Sequence, residues 1–263
     1  MRPSNSFRRT MQKTGVSLGS EQRRLSIRHI AATAFGAAIF VLAFCVIQTT
    51  PTTVDVVNDA LVVDGIERTF RVVVPQSVTT KAPVVFAYHG IGDSPEAMAA
   101  YSQLDQLAAD EGILLIYPAG INAMWAAFDV APNSLDENPD VRFFDALLRH
   151  VNANYSINLA RVYLVGMSNG ASFVHVLANA RPDTIAGVVA HSGPRPRALG
   201  KFRGEFPVLL VVGGDDLSLT SIQSDLNDYR TAGQPVKLIV VEGAGHSWSV
   251  HSNSTAWEFV KSQ

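Results

Sequence analysis

Cysteine is almost missing from this chain. Cys45 is the single one among 263 residues, so no internal disulfide can form, and no Cys/His pair has the spacing of a zinc site. There is no glycine-rich phosphate loop, and no Gly-x-Gly-x-x-Gly opens a helix after a strand, so nucleotide-dependent chemistry has no recognisable cradle. No segment repeats. Positive charge is scarce outside the N-terminus. Residues 1–29 hold seven Lys/Arg against one acid, a net +6; since the whole chain carries −2, the remainder carries −8. A domain with that balance has no electrostatic footprint for nucleic acid.

Charge of either sign is absent from Ile30 to Val54, and Ile30 to Ile47 is predominantly apolar. A basic flank before such a run keeps residues 1–29 on the cytoplasmic side and sends the following domain across the membrane. As a helix, Ile30 to Ile47 would be about 27 Å long, just short of the ~30 Å hydrocarbon core. Residues 30–50 are therefore expected to be a signal peptide or a single membrane anchor, with Ala43-Phe44-Cys45 as a small-x-small cleavage site. A short linker is expected over 51–58, and one catalytic domain over 59–263.

That domain opens with two apolar runs, Ala60 to Val63 and Thr69 to Val74, joined through Asp64-Gly65, which reads as an antiparallel hairpin. Strands then alternate with helices. Strands are expected at 84–88, 113–117, 162–165, 186–190, 207–212 and 236–241, and helices at 95–110, 140–153, 169–180, 220–231 and from about Thr255. Alternation of this kind implies an α/β fold, a mostly parallel sheet covered by helices on both faces.

Gly166-Met167-Ser168-Asn169-Gly170 lies between a strand and a helix. A sharp strand-to-helix turn projects a serine hydroxyl from the top of a sheet, and small residues at 166 and 170 permit the close approach it needs. Ser168 is thus a candidate nucleophile, and it requires a base, an acid and an oxyanion hole. Two later strands end at the same edge. The first runs into Gly213-Gly214-Asp215-Asp216, and the second into Glu242-Gly243-Ala244-Gly245-His246. His246 is the candidate base. Either aspartate can orient it, the other serving as a turn residue. Strand 84–88 opens into His89-Gly90-Ile91-Gly92, and the main-chain N–H groups of Ile91 and Asn169 are the candidate oxyanion donors.

From about residue 60 to its end the chain resembles the esterase branch of α/β-hydrolases that includes polyhydroxybutyrate depolymerases and feruloyl or acetylxylan esterases. The matching segments are Tyr88-His89-Gly90, Ile116-Tyr117-Pro118, Arg161 to Gly170, and Gly245-His246-Ser247-Trp248, the last similar to the family's Gly-His-Thr-Trp. The family's acid ends a strand in a Gly-Thr-Ala-Asp pattern, which falls here on Gly213 to Asp216 and selects Asp216. The resemblance implies an α/β-hydrolase fold and a carboxylic-ester hydrolase with a Ser168, His246, Asp216 triad and neither cofactor nor metal. Where relatives often have glycine after the elbow, this chain has Ala171. Only 17 residues follow His246, too few for an appended binding domain, so small-molecule or oligomeric esters are expected as substrates rather than a solid polymer. The same scaffold could serve a non-catalytic exported binding protein, and the same triad a thioesterase or peptidase.

Residues 119–139 form a long irregular stretch at the catalytic edge, where such loops shape pockets. Its Trp125, together with Trp248 and His89, supplies the candidates for lining the substrate pocket. Each has a structural alternative: Trp125 as a loop anchor on the core, Trp248 as packing behind the histidine, His89 as a prop for its loop. His191, at another strand end, reads as structural, so its replacement is expected to leave turnover largely intact.

Overall fold

A computed structural model describes residues 53–78, 81–128 and 130–262. The basic arm 1–29, the apolar segment 30–50 and Cys45 lie outside the described residues. Among those described, no helix is long and apolar enough to cross a membrane.

Eight strands form one sheet: β1 (Val54–Val63), β2 (Ile66–Pro75), β3 (Ala82–Tyr88), β4 (Leu114–Pro118), β5 (Ile157–Met167), β6 (Ile185–His191), β7 (Val208–Gly213) and β8 (Val236–Val241). Their spatial order is β1-β2-β4-β3-β5-β6-β7-β8. The hairpin β1/β2 and the β2/β4 pair are antiparallel, and every other pair is parallel. At the hairpin, Asp64 (φ 53°) and Gly65 (φ 79°) both take the positive φ that a two-residue turn of matching twist requires.

Strand β1 begins at Val54, so most of the segment expected as a 51–58 linker is ladder, paired from Val54↔Pro75 onward. Its polar residues disguise it. As an edge strand with mostly exposed side chains, it has no buried face to impose an apolar alternation.

The central strands are read from sequence more easily because both faces are covered. Along β3, Val84, Phe86 and Tyr88 enter one core cluster while Val85 and Ala87 enter the other, the period of two expected of a strand. On the first face pack α3 (Pro139–Asn154), α4 (Asn169–Ala180) and α5 (Leu219–Thr231), through Phe144, Leu177, Leu226 and Tyr229 among others. On the second pack α1 (Pro95–Ser102), α2 (Leu104–Glu111) and α6 (Asn253–Lys261), through Met98, Leu104, Trp257 and Val260. The single helix expected over 95–110 is broken at Gln103, which adopts φ 54° and caps α1 through its N–H to Ala99 O. Neither glycine nor proline marks that break.

Because the central strands run parallel, the loops after β3, β4, β5, β6, β7 and β8 gather at one edge. The long loop after β4 is bolted down by a buried ion pair. Arg68 on β2 meets Asp140 at 2.7 Å, its guanidinium lies 4.0 Å from the Phe143 ring centre, and the second Asp140 oxygen accepts the Ala126 N–H at 2.7 Å. Removing one partner of such a pair strands a buried charge, a cost of roughly 3–5 kcal/mol.

Candidate active site

Between β5 and α4 the chain turns at Ser168 with φ 56° and ψ −118°, a conformation that L-residues rarely adopt. Its surroundings leave no alternative. A β-carbon at Gly166 would strike the Gly170 carbonyl, and one at Gly170 would strike the Tyr88 carbonyl. The Ser168 N–H is held by His191 O at 2.8 Å. Ala171, which replaces the expected glycine, is fully buried, and the room for its methyl exists because position 193 is glycine: a β-carbon there would lie 2.6 Å from Ala171 Cβ.

Ser168 Oγ lies 2.9 Å from His246 Nε2, and His246 Nδ1 lies 2.9 Å from Asp216 Oδ2. Asp216 is buried, whereas Asp215 faces solvent and uses its N–H on Ala244 O, so the inward carboxylate is Asp216. Its other oxygen accepts from both the N–H and the hydroxyl of Ser218 at 2.8 Å. Burial acts to raise the Asp216 carboxyl, but hydrogen bonds from Ser218, Ser192 and His246 outweigh it and hold the group below the usual carboxylate range. An ionised Asp216 accepts from Nδ1–H, which leaves Nε2 as the lone-pair nitrogen facing Ser168. The base loop is seated as closely as the elbow: a β-carbon at Gly213 would strike the Ala244 carbonyl.

The N–H groups of Ile91, in the loop after β3, and of Asn169, at the start of α4, have no acceptor among the described residues. The loop of Ile91 lies against the serine, since a β-carbon at Gly90 would sit 3.4 Å from Ser168 Cβ. Two side chains tie the neighbouring loops together, His89 joining the loop of Ile91 to the one after β4 and Asn169 joining the latter to the elbow. His89 donates from Nδ1 to Gly90 O at 2.7 Å and accepts the Gly120 N–H on Nε2 at 3.0 Å, so its ring is neutral. Burial also lowers its pKa. Asn169 accepts the Trp125 N–H at 2.7 Å and donates back to Trp125 O at 3.2 Å.

Trp125 and His89 take the structural alternatives set beside pocket lining. Trp125 is fully buried, stacked on Phe173 and edge-on to Tyr88, with its indole N–H on His89 O at 2.9 Å. It anchors the loop to the core and offers no wall to a ligand. His89 is buried beneath the same loop and acts as its prop. Trp248, half-buried, stacks on His191 at 4.7 Å and donates to Asn253. An open cavity of about 380 Å³ beside the elbow has among its walls Phe128, Val130, Ser172 and Pro194 together with the polar Arg195 and Arg197. Phe128, exposed at 59 %, is its aromatic wall. Ser172 lies one helical turn beyond Ser168, to whose carbonyl its N–H bonds at 3.0 Å. Ser192 was also missed, for its link to Asp216 crosses between strands and leaves no mark in local sequence.

The Esterase family profile, described as "Putative esterase", matches residues 64–258. A bifunctional acetylxylan esterase/xylanase of Neocallimastix patriciarum is 23% identical over 237 residues, covering 78% of this chain and 34% of that protein. Feruloyl esterase B of Neurospora crassa is 29% identical over 122 residues, 46% of this chain and 42% of that protein. The chain thus spans between a third and a half of the length of these curated relatives. Among solved structures, an S-formylglutathione hydrolase of Staphylococcus aureus superposes with a TM-score of 0.67 at 11% identity, over 80% of this chain and 100% of the other. A ferulic acid esterase gives 0.64 at 20%, over 80% and 98%. At these identities the structures establish a shared α/β-hydrolase fold.

The reciprocal Asn169–Trp125 pair yields a stability prediction. Asn169→Ala leaves the buried Trp125 N–H without an acceptor, a loss of about 2 kcal/mol, so the melting temperature should fall by roughly 4–8 °C. An unchanged melting temperature would mean that the loop is held by other contacts.

Proposed function

The chain belongs to the Esterase family, and on that premise we propose that it hydrolyses carboxylic esters through an acyl-enzyme formed on Ser168. The observation that carries this reading is the unbroken chain Ser168 Oγ, His246, Asp216, with both hydrogen bonds at 2.9 Å. Ser168 Oγ attacks the ester carbonyl carbon while its proton passes to His246 Nε2. Asp216, already ionised, stabilises the imidazolium and keeps the ring turned toward the serine. The oxygen that gains charge in the tetrahedral intermediate is received by the N–H groups of Ile91 and Asn169, each such donor being worth ~10²–10³ in rate. His246 then gives the proton to the departing alcohol as the C–O bond breaks. Water, deprotonated by His246, releases the acid and restores the serine.

The substrate reading is a small or oligomeric ester of acetyl, feruloyl or hydroxyalkanoate type. It is supported by the acetylxylan and feruloyl esterases among the relatives, and by the cavity behind Phe128, where apolar side chains meet Ser172, Arg195 and Arg197. Export belongs to the same proposal and rests on the basic arm and the uncharged run before residue 55. N-terminal sequencing of the mature protein is expected to begin near Val46 or beyond if the signal is cleaved, or upstream in a membrane fraction if it is an anchor. A full-length cytosolic chain would overturn both.

Ser168→Ala tests the chemistry. It should lower hydrolysis of p-nitrophenyl acetate by about 10⁴-fold or more and abolish labelling by a fluorophosphonate, with the melting temperature unchanged. Retained turnover in the folded variant would reject Ser168 as the nucleophile.

A further inference from the structure

His191 closes β6 and is 2 % exposed, and the mechanism above makes no use of it. Three of its groups reach the parts that the mechanism does use. Its carbonyl accepts the Ser168 N–H at 2.8 Å, a consequence of the β5/β6 register that sets Met167 beside His191. Its ring Nε2 accepts the Ser249 N–H at 2.9 Å, and its ring face stacks on Trp248 at 4.7 Å with 20° between planes. Ser249 and Trp248 follow His246 by three and two residues. One residue therefore bridges the two parts, its main chain holding the turn that delivers the nucleophile and its side chain the loop that delivers the base.

The tautomer is fixed by the same contacts. Because Nε2 accepts, the proton sits on Nδ1 and faces Ser192 Oγ at 3.3 Å, a long and weak contact. Burial, followed by the proximity of His246, lowers the ring to about 4, so it stays neutral and keeps accepting at neutral pH. Ser192 holds φ 57° without being glycine, with its N–H on Val211 O at 2.8 Å, and its hydroxyl is among the groups that favour ionised Asp216. A strained non-glycine residue so near the acid fits a positional demand better than a packing one.

We infer that His191 is a positioning residue for the ester hydrolysis proposed above: it clamps the Trp248–Ser249 segment so that His246 stays in line with Ser168. This goes against the expectation that its replacement leaves turnover intact, and it rests on the triad reading. A 1 Å displacement of a reacting group can cost ~10²-fold in rate, whereas loss of a merely structural contact lowers stability and leaves the folded enzyme's kcat unchanged.

The experiment compares His191→Phe, His191→Gln and Ser168→Ala on p-nitrophenyl acetate. His191→Phe keeps a ring against Trp248 but cannot accept from Ser249; kcat should fall about 10- to 100-fold while KM stays within about two-fold. His191→Gln, which restores one acceptor and one donor, should recover most of that loss. A folded His191→Phe enzyme with wild-type kcat overturns the inference, as does a Gln variant no better than Phe. If His191→Phe does not fold, Trp248→Leu decides: a kcat loss at unchanged KM supports the clamp, and wild-type kcat refutes it. Should Ser168→Ala keep its activity, the triad reading itself fails, a result separate from any outcome at His191.

Discussion

A serine held at φ 56° between two glycines is the constraint on which the rest of this site depends. Left-handed backbone at a non-glycine residue costs on the order of 1–3 kcal/mol, and it persists only where the surroundings over-determine it. Here the determination comes from backbone packed against backbone. The elbow is wedged between the ends of β3 and β6, where positions 170 and 193 have no space for a side chain. The strain has a geometric product: it lifts Oγ off the sheet edge into reach of His246, while Asn169 opens α4 with its N–H unspent.

Around that elbow the loops are tied to one another more than to the solvent-facing surface. The oxyanion loop hangs on His89 and Trp125, and Trp125 hangs on the side chain of Asn169. The base loop rests on His191, and the acid is gripped by Ser218. Each group of the candidate site therefore has a neutral or oppositely polarised neighbour that fixes its direction. This matters because donors already aimed at the place where charge develops in acyl transfer need not reorganise as the reaction proceeds. The His246 ring itself is half exposed, which leaves its serine-facing side open to solvent.

Much of this was legible in the residues, for identifiable reasons. Strands β3 to β7 are buried on both faces and announce themselves as continuous apolar runs, and the elbow is announced by its glycines. The choice of Asp216 over Asp215 came from resemblance, and the geometry shows why it matters: one side chain points inward and its neighbour outward. What stayed hidden involves contacts distant in sequence. Trp125 read equally as pocket wall or core anchor, because 44 residues separate it from the Asn169 side chain that draws it into the core. Phe128, three positions on, is the aromatic that faces outward. His191 carried a weak signal, a histidine ending a buried strand before Ser-Gly, but its partner Ser249 lies 58 residues away. The break at Gln103 and the start of β1 left no signal at all.

Covalent acylation of Ser168 is the event from which every proposed role in this site follows. Acid-quenching the enzyme during turnover of p-nitrophenyl acetate, followed by peptide mass spectrometry, reads this directly. The expected result is a single acetyl group on the peptide containing Ser168, absent when His246 is replaced by alanine. Turnover with no acetylated peptide, or with acetyl confined to another residue, would contradict it.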